Sequence, residues 1–112
     1  MSKKPETKFK EKIRPILESL PNTWIVKIQQ RAIRGVPDFI LSVNGKFIAL
    51  ELKKSKKEKP DPLQVYTMNK IIDSGGIAIV VSPDNWEETL IFLKEIANAI
   101  QVGSPKKKIC TA

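Results

Sequence analysis

The chain has 112 residues, of which 41% are hydrophobic and 29% charged, which predicts one globular domain with its own core. Its 20 Lys and Arg residues against 12 Asp and Glu residues give a net charge of +8. Histidine is absent and Cys110 is the single cysteine, which excludes Ser-His-Asp catalysis, His-ligated zinc and an intrachain disulfide.

The basic surplus has two interpretations, a nucleic-acid partner or simply a basic surface. The sequence contains no apolar run near the ~20 residues that span a membrane, and no signal-peptide core. We therefore expect a protein of the cytoplasm (the host-cell cytoplasm if a phage encodes it), or of the nucleus if its source has one, without a membrane partner.

The first predicted helix runs from Glu6 to Leu20, where apolar residues recur at helical spacing. Glu6 shares the inward stripe of this helix. Pro15 opposes a regular helix over the whole segment, because a proline inside a helix removes a hydrogen bond. Thr23 to Gln30 alternates and predicts a strand, and we interpret Trp24 as a core or hydrophobic-staple residue rather than a base-stacking platform.

The segment from Asp38 to Lys53 predicts a β-hairpin, because Asn44-Gly45 lies between two alternating runs. With these two residues in the turn, Asp38 faces Glu51 directly. Lys53 lies two residues beyond Glu51 and shares its face.

A helix is predicted after the hairpin, with Asp61 as N-cap and Gln64 in a capping box. Its predicted buried stripe consists of Leu63, Thr67, Ile71 and Ile72. The apolar run Ile77 to Val81 predicts a strand covered on both faces.

A last helix is predicted from Trp86 to about Gln101, with Trp86 packed in the core. Its predicted core face consists of Leu90, Leu93, Ile96, Ala97 and Ile100. We expect a domain over residues 1–102 and a basic tail over 103–112. The resulting order, α-β-β-β-α-β-α, predicts an α/β protein with a mixed four-stranded sheet flanked by helices.

Two opposed carboxylates repel each other unless a cation lies between them. Asp38 and Glu51, with the backbone carbonyl of Leu52, predict a site for Mg²⁺, for which Mn²⁺ substitutes. Lys53 is placed to orient water and offset charge on a phosphate. The competing interpretations are that Asp38 only starts a strand and that Glu51 and Lys53 form a solvated strand edge.

Several basic residues are placed to contact flanking phosphates. They are Lys27, Arg34, Lys54, Lys56 and Lys57. The loop from Lys54 to Lys59 is equally typical of a solvated charge run.

The motif G-V-P-D at 35–38 followed by E-L-K at 51–53 resembles the signature of the PD-(D/E)XK nuclease superfamily. R-G-V-P-D and P-L-Q at 62–64 resemble its VRR-NUC branch, found in phage proteins and in repair nucleases related to Holliday-junction resolvases. The resemblance covers roughly residues 6–82. It implies a restriction-endonuclease-like core.

The resemblance also implies roles for individual residues. Asp38 and Glu51 become metal ligands, Lys53 becomes catalytic, Glu6 joins the metal site and Gln64 makes an auxiliary contact. Glu6 as a residue complementing the helix dipole and Gln64 as a capping residue are the alternatives.

We therefore expect a Mg²⁺-dependent endonuclease that hydrolyses DNA by structure rather than by base sequence. The alternatives are a non-catalytic nucleic-acid-binding module and a nuclease that acts on RNA. Because many small relatives of this type are homodimers, the resemblance also implies a homodimer. Ile100 or the apolar edge of the last helix is the candidate interface.

Overall fold

A computed structural model describes residues 5–28 and 35–100 of the chain, with side chains from residue 7 onward. The helices are α1 (Pro5–Glu18), α2 (Pro62–Asp73) and α3 (Trp86–Asn98). The strands are β1 (Thr23–Lys27), β2 (Phe39–Val43), β3 (Lys46–Leu52) and β4 (Ile77–Val81). The predicted order of elements is confirmed.

The four strands form one sheet in the order β1-β2-β3-β4. β1, β2 and β3 are antiparallel to one another, whereas β4 runs parallel to β3. The parallel pair requires a crossover connection, which α2 provides. The predicted mixed sheet flanked by helices is therefore confirmed.

The hairpin between β2 and β3 has the predicted register. Val43 pairs with Lys46, and Phe39 pairs with Leu50. Asn44 and Gly45 have φ values of 50° and 85°, as a two-residue turn with positive φ at both positions requires. Local turn chemistry thus fixes which residues face each other at the far end of the hairpin.

The core lies between one face of the sheet and the helices α1 and α3. Its fully buried side chains include Ile13 and Leu17 from α1, Leu41 and Leu50 from the sheet, and Leu93 from α3. α2 packs on the other face, mainly over β4 and β3. No residue of α2 is buried.

Two asparagines join the turns of the sheet to the end of α3. Asn22 Nδ2 donates to the carbonyl of Ala97 at 3.0 Å, and Asn44 Nδ2 donates to the carbonyls of Ile96 and Ala99 at 3.0 and 2.8 Å. The last carbonyls of a helix lack partners within the helix, and these side chains supply them.

The predicted helix bounds change at two places. α1 continues through Pro15, whose side chain is exposed, and ends at Glu18. The absent N–H of Pro15 thus does not interrupt the helix. α3 ends at Asn98 rather than near Gln101, and Ala99 already has an extended backbone.

Several predicted core positions are wrong. Trp24 is 67% exposed, and Ile100 is 89% exposed because it follows the end of α3. Leu63 and Ile72, predicted to lie in the buried stripe of α2, are 43% and 51% exposed. Trp86 is a core residue as predicted, with its ring edge-on to Phe9 at 6.2 Å.

β1 ends at Lys27, so the predicted strand to Gln30 is too long; residues 29 and 30 lie outside the described residues. β4 is less covered than predicted, since Ile77 to Val80 are half-buried and Val81 is buried. The predicted tail at 103–112 and Cys110 also lie outside the described residues. The domain boundary at 102 remains a prediction.

Candidate active site

Asp38 lies immediately before β2, and backbone hydrogen bonds hold it between two neighbouring strands. Its N–H donates to the carbonyl of Leu50 at 3.1 Å, and its carbonyl accepts from the N–H of Ile28 at 2.8 Å. The carboxylate turns toward β3, where Oδ2 accepts from the N–H of Leu52 at 2.8 Å. The position of this carboxylate is therefore set by the hairpin itself.

Glu51 extends from β3 on the face that α2 covers, and it is only 4% exposed. Its Oε1 accepts a hydrogen bond from Gln64 Nε2 at 2.8 Å. Burial, followed by the charge and the side-chain hydrogen bond of Asp38, raises the pKa of Glu51 to about 8. Lys53 and Lys10 act in the opposite direction on this pKa.

The raised pKa has a structural meaning. Two carboxylates close together do not both ionise at little cost, so one of them retains a proton unless a cation replaces it. Asp38 and Glu51 thus form a pair of hard oxygen donors that suits Mg²⁺, which commonly takes one or two protein carboxylates and keeps several waters. The donor set therefore fits the predicted metal.

The described side chains contain no group of three or more acidic, histidine or cysteine residues arranged for a metal. The carboxyl group of Glu6, the third predicted acid, lies outside the described residues, although the backbone of Glu6 belongs to α1. Of the three acidic residues predicted for the metal site, the structure therefore describes the side chains of two, Asp38 and Glu51.

Lys53 follows directly after β3 with a side chain that is 11% exposed. Its N–H donates to the carbonyl of Val81 at 2.8 Å, which fixes its backbone against β4. Its Nζ lies 4.0 Å from Glu58 Oε1, and Lys54 Nζ lies 4.0 Å from Glu58 Oε2. The loop after β3 thus returns an acidic side chain to the predicted catalytic lysine.

Gln64 links the start of α2 to the acidic pair. The predicted capping box is confirmed: the Asp61 side chain accepts from the N–H of Gln64, and Gln64 Oε1 accepts from the N–H of Asp61. The amide nitrogen of the same side chain remains available for Glu51. The Gln64 side chain therefore makes both of the contacts that the sequence offered as alternatives: it caps α2, and it contacts Glu51 in the candidate site.

The structure brings one unpredicted residue to the site. Lys10 Nζ of α1 lies 2.7 Å from Asp38 Oδ1, and both side chains are about one-fifth exposed. A signal was available in the sequence, because Lys10 follows Glu6 by four residues and so lies on the same side of the helix. Glu58 was also missed, and nothing in its spacing indicates it.

The predicted phosphate-contacting residues are spread around the site. Lys27 is half-buried at the end of β1, and Lys54, Lys56 and Lys57 are exposed in the loop after β3. The N–H of Lys56 donates to Asp84 Oδ2 at 2.9 Å, which attaches that loop to the turn before α3. Arg34 lies outside the described residues.

The fold matches that of a solved structure described as a VRR_NUC domain, with a TM-score of 0.68 and 23% sequence identity. The match covers 80% of this chain and 97% of the solved one. The chain has a VRR-NUC-like fold. No protein-family model and no curated protein matches the chain.

The match extends the VRR-NUC-like region beyond the short motifs, because its coverage includes most of the described residues. The resemblance first carried by G-V-P-D and E-L-K is thus confirmed at the level of the fold. Among the described helices, none is long and apolar enough to cross a membrane.

Proposed function

We propose that the protein is a metal-dependent nuclease that hydrolyses phosphodiester bonds in DNA. The observation that carries the proposal is the pair formed by half-buried Asp38 and buried Glu51, in which a proton or a cation offsets the repulsion of the two carboxylates. The VRR-NUC-like fold supports it, because nuclease is the activity that this fold name denotes.

In this proposal Asp38, Glu51 and the backbone carbonyl of Leu52 hold Mg²⁺, or Mn²⁺ in its place, and Glu6 contributes to the same site. The bound metal supplies Lewis acidity and an acidified water. Gln64 holds the Glu51 carboxylate in place through the 2.8 Å hydrogen bond from its amide.

Lys53 is the proposed catalytic lysine. An ammonium group one pleat beyond Glu51 orients the attacking water and offsets the charge that grows on the phosphate. Its low exposure of 11% strengthens that electrostatic effect, since water screens it less than a surface lysine. Lys27, Arg34, Lys54, Lys56 and Lys57 then contact neighbouring phosphates.

The test is a cleavage assay on supercoiled, linear and branched DNA with Mg²⁺ or Mn²⁺. We expect Asp38→Asn and Lys53→Met to lose cleavage by about 100-fold or more, whereas DNA binding persists. Matched controls are Asp73→Asn and Lys94→Met, which change exposed residues at the end of α2 and within α3.

Three results separate the alternatives. Binding without cleavage by the wild type under either metal contradicts the nuclease and supports a non-catalytic binding module. Cleavage of RNA alone assigns the activity to RNA. A panel of flap, nicked, bubble and four-way-junction DNAs then tests the proposed selectivity for structure. Homodimerisation and a cytoplasmic location remain predictions.

A further inference from the structure

Among the described elements, α2 leaves part of the sheet face on its side uncovered, and we call this part the uncovered face. We use this name for Trp24 and Val26 of β1, Ile40 and Ser42 of β2, and Phe47 of β3. Because α2 packs mainly over β4 and β3, these side chains remain open or half-buried. Trp24 and Phe47 are 67% and 45% exposed, which is unusual for large aromatic side chains on a sheet.

The register aligns the two aromatic residues in one row. Trp24 pairs with Ser42, and Ser42 pairs with Phe47, so all three side chains leave the same face of three adjacent strands. Neighbouring strands are about 4.8 Å apart, so the two aromatic positions are separated by about 10 Å. The small serine between them leaves both rings accessible from above.

The next rows lead to the carboxylates. Val26, Ile40 and Ala49 form the following row, and beyond it lie Glu51 and Asp38, whose N–H donates to Leu50. Four residues of extended strand span about 13 Å. The aromatic row is therefore within reach of the candidate active site for a short stretch of nucleic-acid strand, along half-buried Val26 and Ile40 to half-buried Asp38, whereas Ala49 and Glu51 are buried.

Phe47 is held in place from one side. A Cβ atom at Gly76 would lie 3.2 Å from Phe47 Cδ1 and 2.8 Å from Ile71 Cγ2, so the glycine after α2 makes room for this packing. The ring is thus supported at one edge while 45% of the side chain stays exposed. A supported aromatic ring loses little entropy when a planar group stacks on it.

We propose that the uncovered face binds an unpaired DNA strand, with bases stacked on Trp24 and Phe47. This inference rests on the proposed nuclease function, and it directs that activity to DNA with an unpaired segment beside the cut. Aromatic platforms joined to a basic surface are the usual means of binding single strands. The net charge of +8 favours this polyanion over a second copy of the chain, which carries the same charge.

The test measures binding in EDTA, so that cleavage does not contribute. We expect a labelled single-stranded DNA to bind more tightly than a blunt duplex of the same length. Trp24→Ala and Phe47→Ala each weaken single-strand binding by about tenfold, as expected for one lost stacking contact. Phe92→Ala is the matched control, since Phe92 is 41% exposed but lies on α3.

Fluorescence gives a second reading that needs no variant. Trp86 is 6% exposed and Trp24 is 67% exposed, so iodide quenches mainly Trp24 in the free protein. Single-stranded DNA is expected to protect Trp24 from iodide, and duplex DNA to leave it accessible.

Equal affinity of wild type and both aromatic variants, or unchanged iodide quenching, overturns the inference. The inference is also overturned if the wild type is a homodimer and both variants are monomers with unchanged single-strand affinity, because the uncovered face is then a dimer interface. Binding of single-stranded RNA but not of single-stranded DNA overturns it as well. These outcomes are independent of the cleavage assay, because the variants retain Asp38, Glu51 and Lys53. If the wild type binds single-stranded DNA but never cleaves, and the aromatic variants lose this binding, the binding site is supported and the nuclease is contradicted.

Discussion

Lys10 Nζ lies 2.7 Å from Asp38 Oδ1, so an ammonium group from α1 already neutralises one side of the carboxylate that is proposed to hold a metal. A divalent cation bound at Asp38 would compete with this ammonium for the same oxygen. The relationship predicts that the helix on the core side of the sheet tunes metal affinity from outside the hairpin.

Lys10→Met is therefore expected to bind Mn²⁺ about three- to tenfold more tightly than the wild type. The substitution removes an ion pair with Asp38 worth about 1 kcal/mol, which the metal otherwise has to displace. Titration calorimetry measures the affinity. Lys12→Met, an exposed lysine on the same helix, is the control and should leave the affinity unchanged. Weaker binding by Lys10→Met contradicts competition and indicates that Lys10 assembles the site.

The pKa of Glu51, raised from 4.5 to about 8, predicts a pH-dependent stability without metal. The folded state favours protonated Glu51, so this stabilisation is complete below about pH 4.5 and is lost as the pH rises toward 8. Glu51→Gln mimics the protonated form and should unfold at a Tm about 5 °C or more above wild type at pH 8. The difference should shrink toward pH 5.

Thermal unfolding in EDTA from pH 5 to 8.5 checks this expectation. In separate samples without EDTA, Mg²⁺ or Mn²⁺ should raise the Tm of the wild type at pH 8, since binding to the folded state stabilises it. The Tm of Glu51→Gln should remain nearly unchanged. A wild-type Tm that rises with pH relative to Glu51→Gln would contradict the assigned direction.

Variants of Asp61 and Gln64 distinguish the capping of α2 from the contact between Gln64 and the acidic pair. Asp61→Ala and Gln64→Ala each remove half of the capping box and should cost about 1 kcal/mol of unfolding free energy. Only Gln64→Ala also removes the donor to Glu51. We expect equal losses in urea stability but a larger loss of cleavage for Gln64→Ala; equal cleavage would restrict Gln64 to capping.

Gly35 and Gly75 provide a matched pair of glycines with positive φ. A Cβ atom at Gly35 would lie 2.7 Å from the carbonyl oxygen of Leu63, whereas a Cβ atom at Gly75 has nothing within 4 Å. Gly75→Ala should cost about 1 kcal/mol from backbone strain alone. Gly35→Ala should cost at least about 2 kcal/mol and also displace the start of α2. Urea unfolding measures both, and equal costs would contradict the close approach.

The parts of the site that the sequence predicts are those fixed by short-range chemistry. Asn44-Gly45 determines the turn, the turn determines the register, and the register pairs Phe39 with Leu50, which brings their chain neighbours Asp38 and Glu51 to the same end of the hairpin. The capping box at Asp61 is local in the same way. In each case the residues that decide the structure are adjacent in the chain.

Predictions failed where the outcome depends on which element covers which. Periodicity identifies the apolar side of a strand or helix, but it does not indicate how much of that side a neighbour reaches. Trp24 is exposed because α2 packs mainly over β4 and β3, and Leu63 of α2 itself is 43% exposed. Lys10 joins the site through a distant helix, so only three-dimensional packing reveals its contact with Asp38.

The hydrogen bonds from Asn22 and Asn44 to the last carbonyls of α3 bear on where this protein can be shortened. The resemblance found in the sequence ends near residue 82, which would suggest truncation after β4. Such a fragment would retain the described acidic and basic groups of the candidate active site, but both turns would lose these hydrogen bonds. A shortened version that keeps them extends to Ala99, seventeen residues past the end of that resemblance.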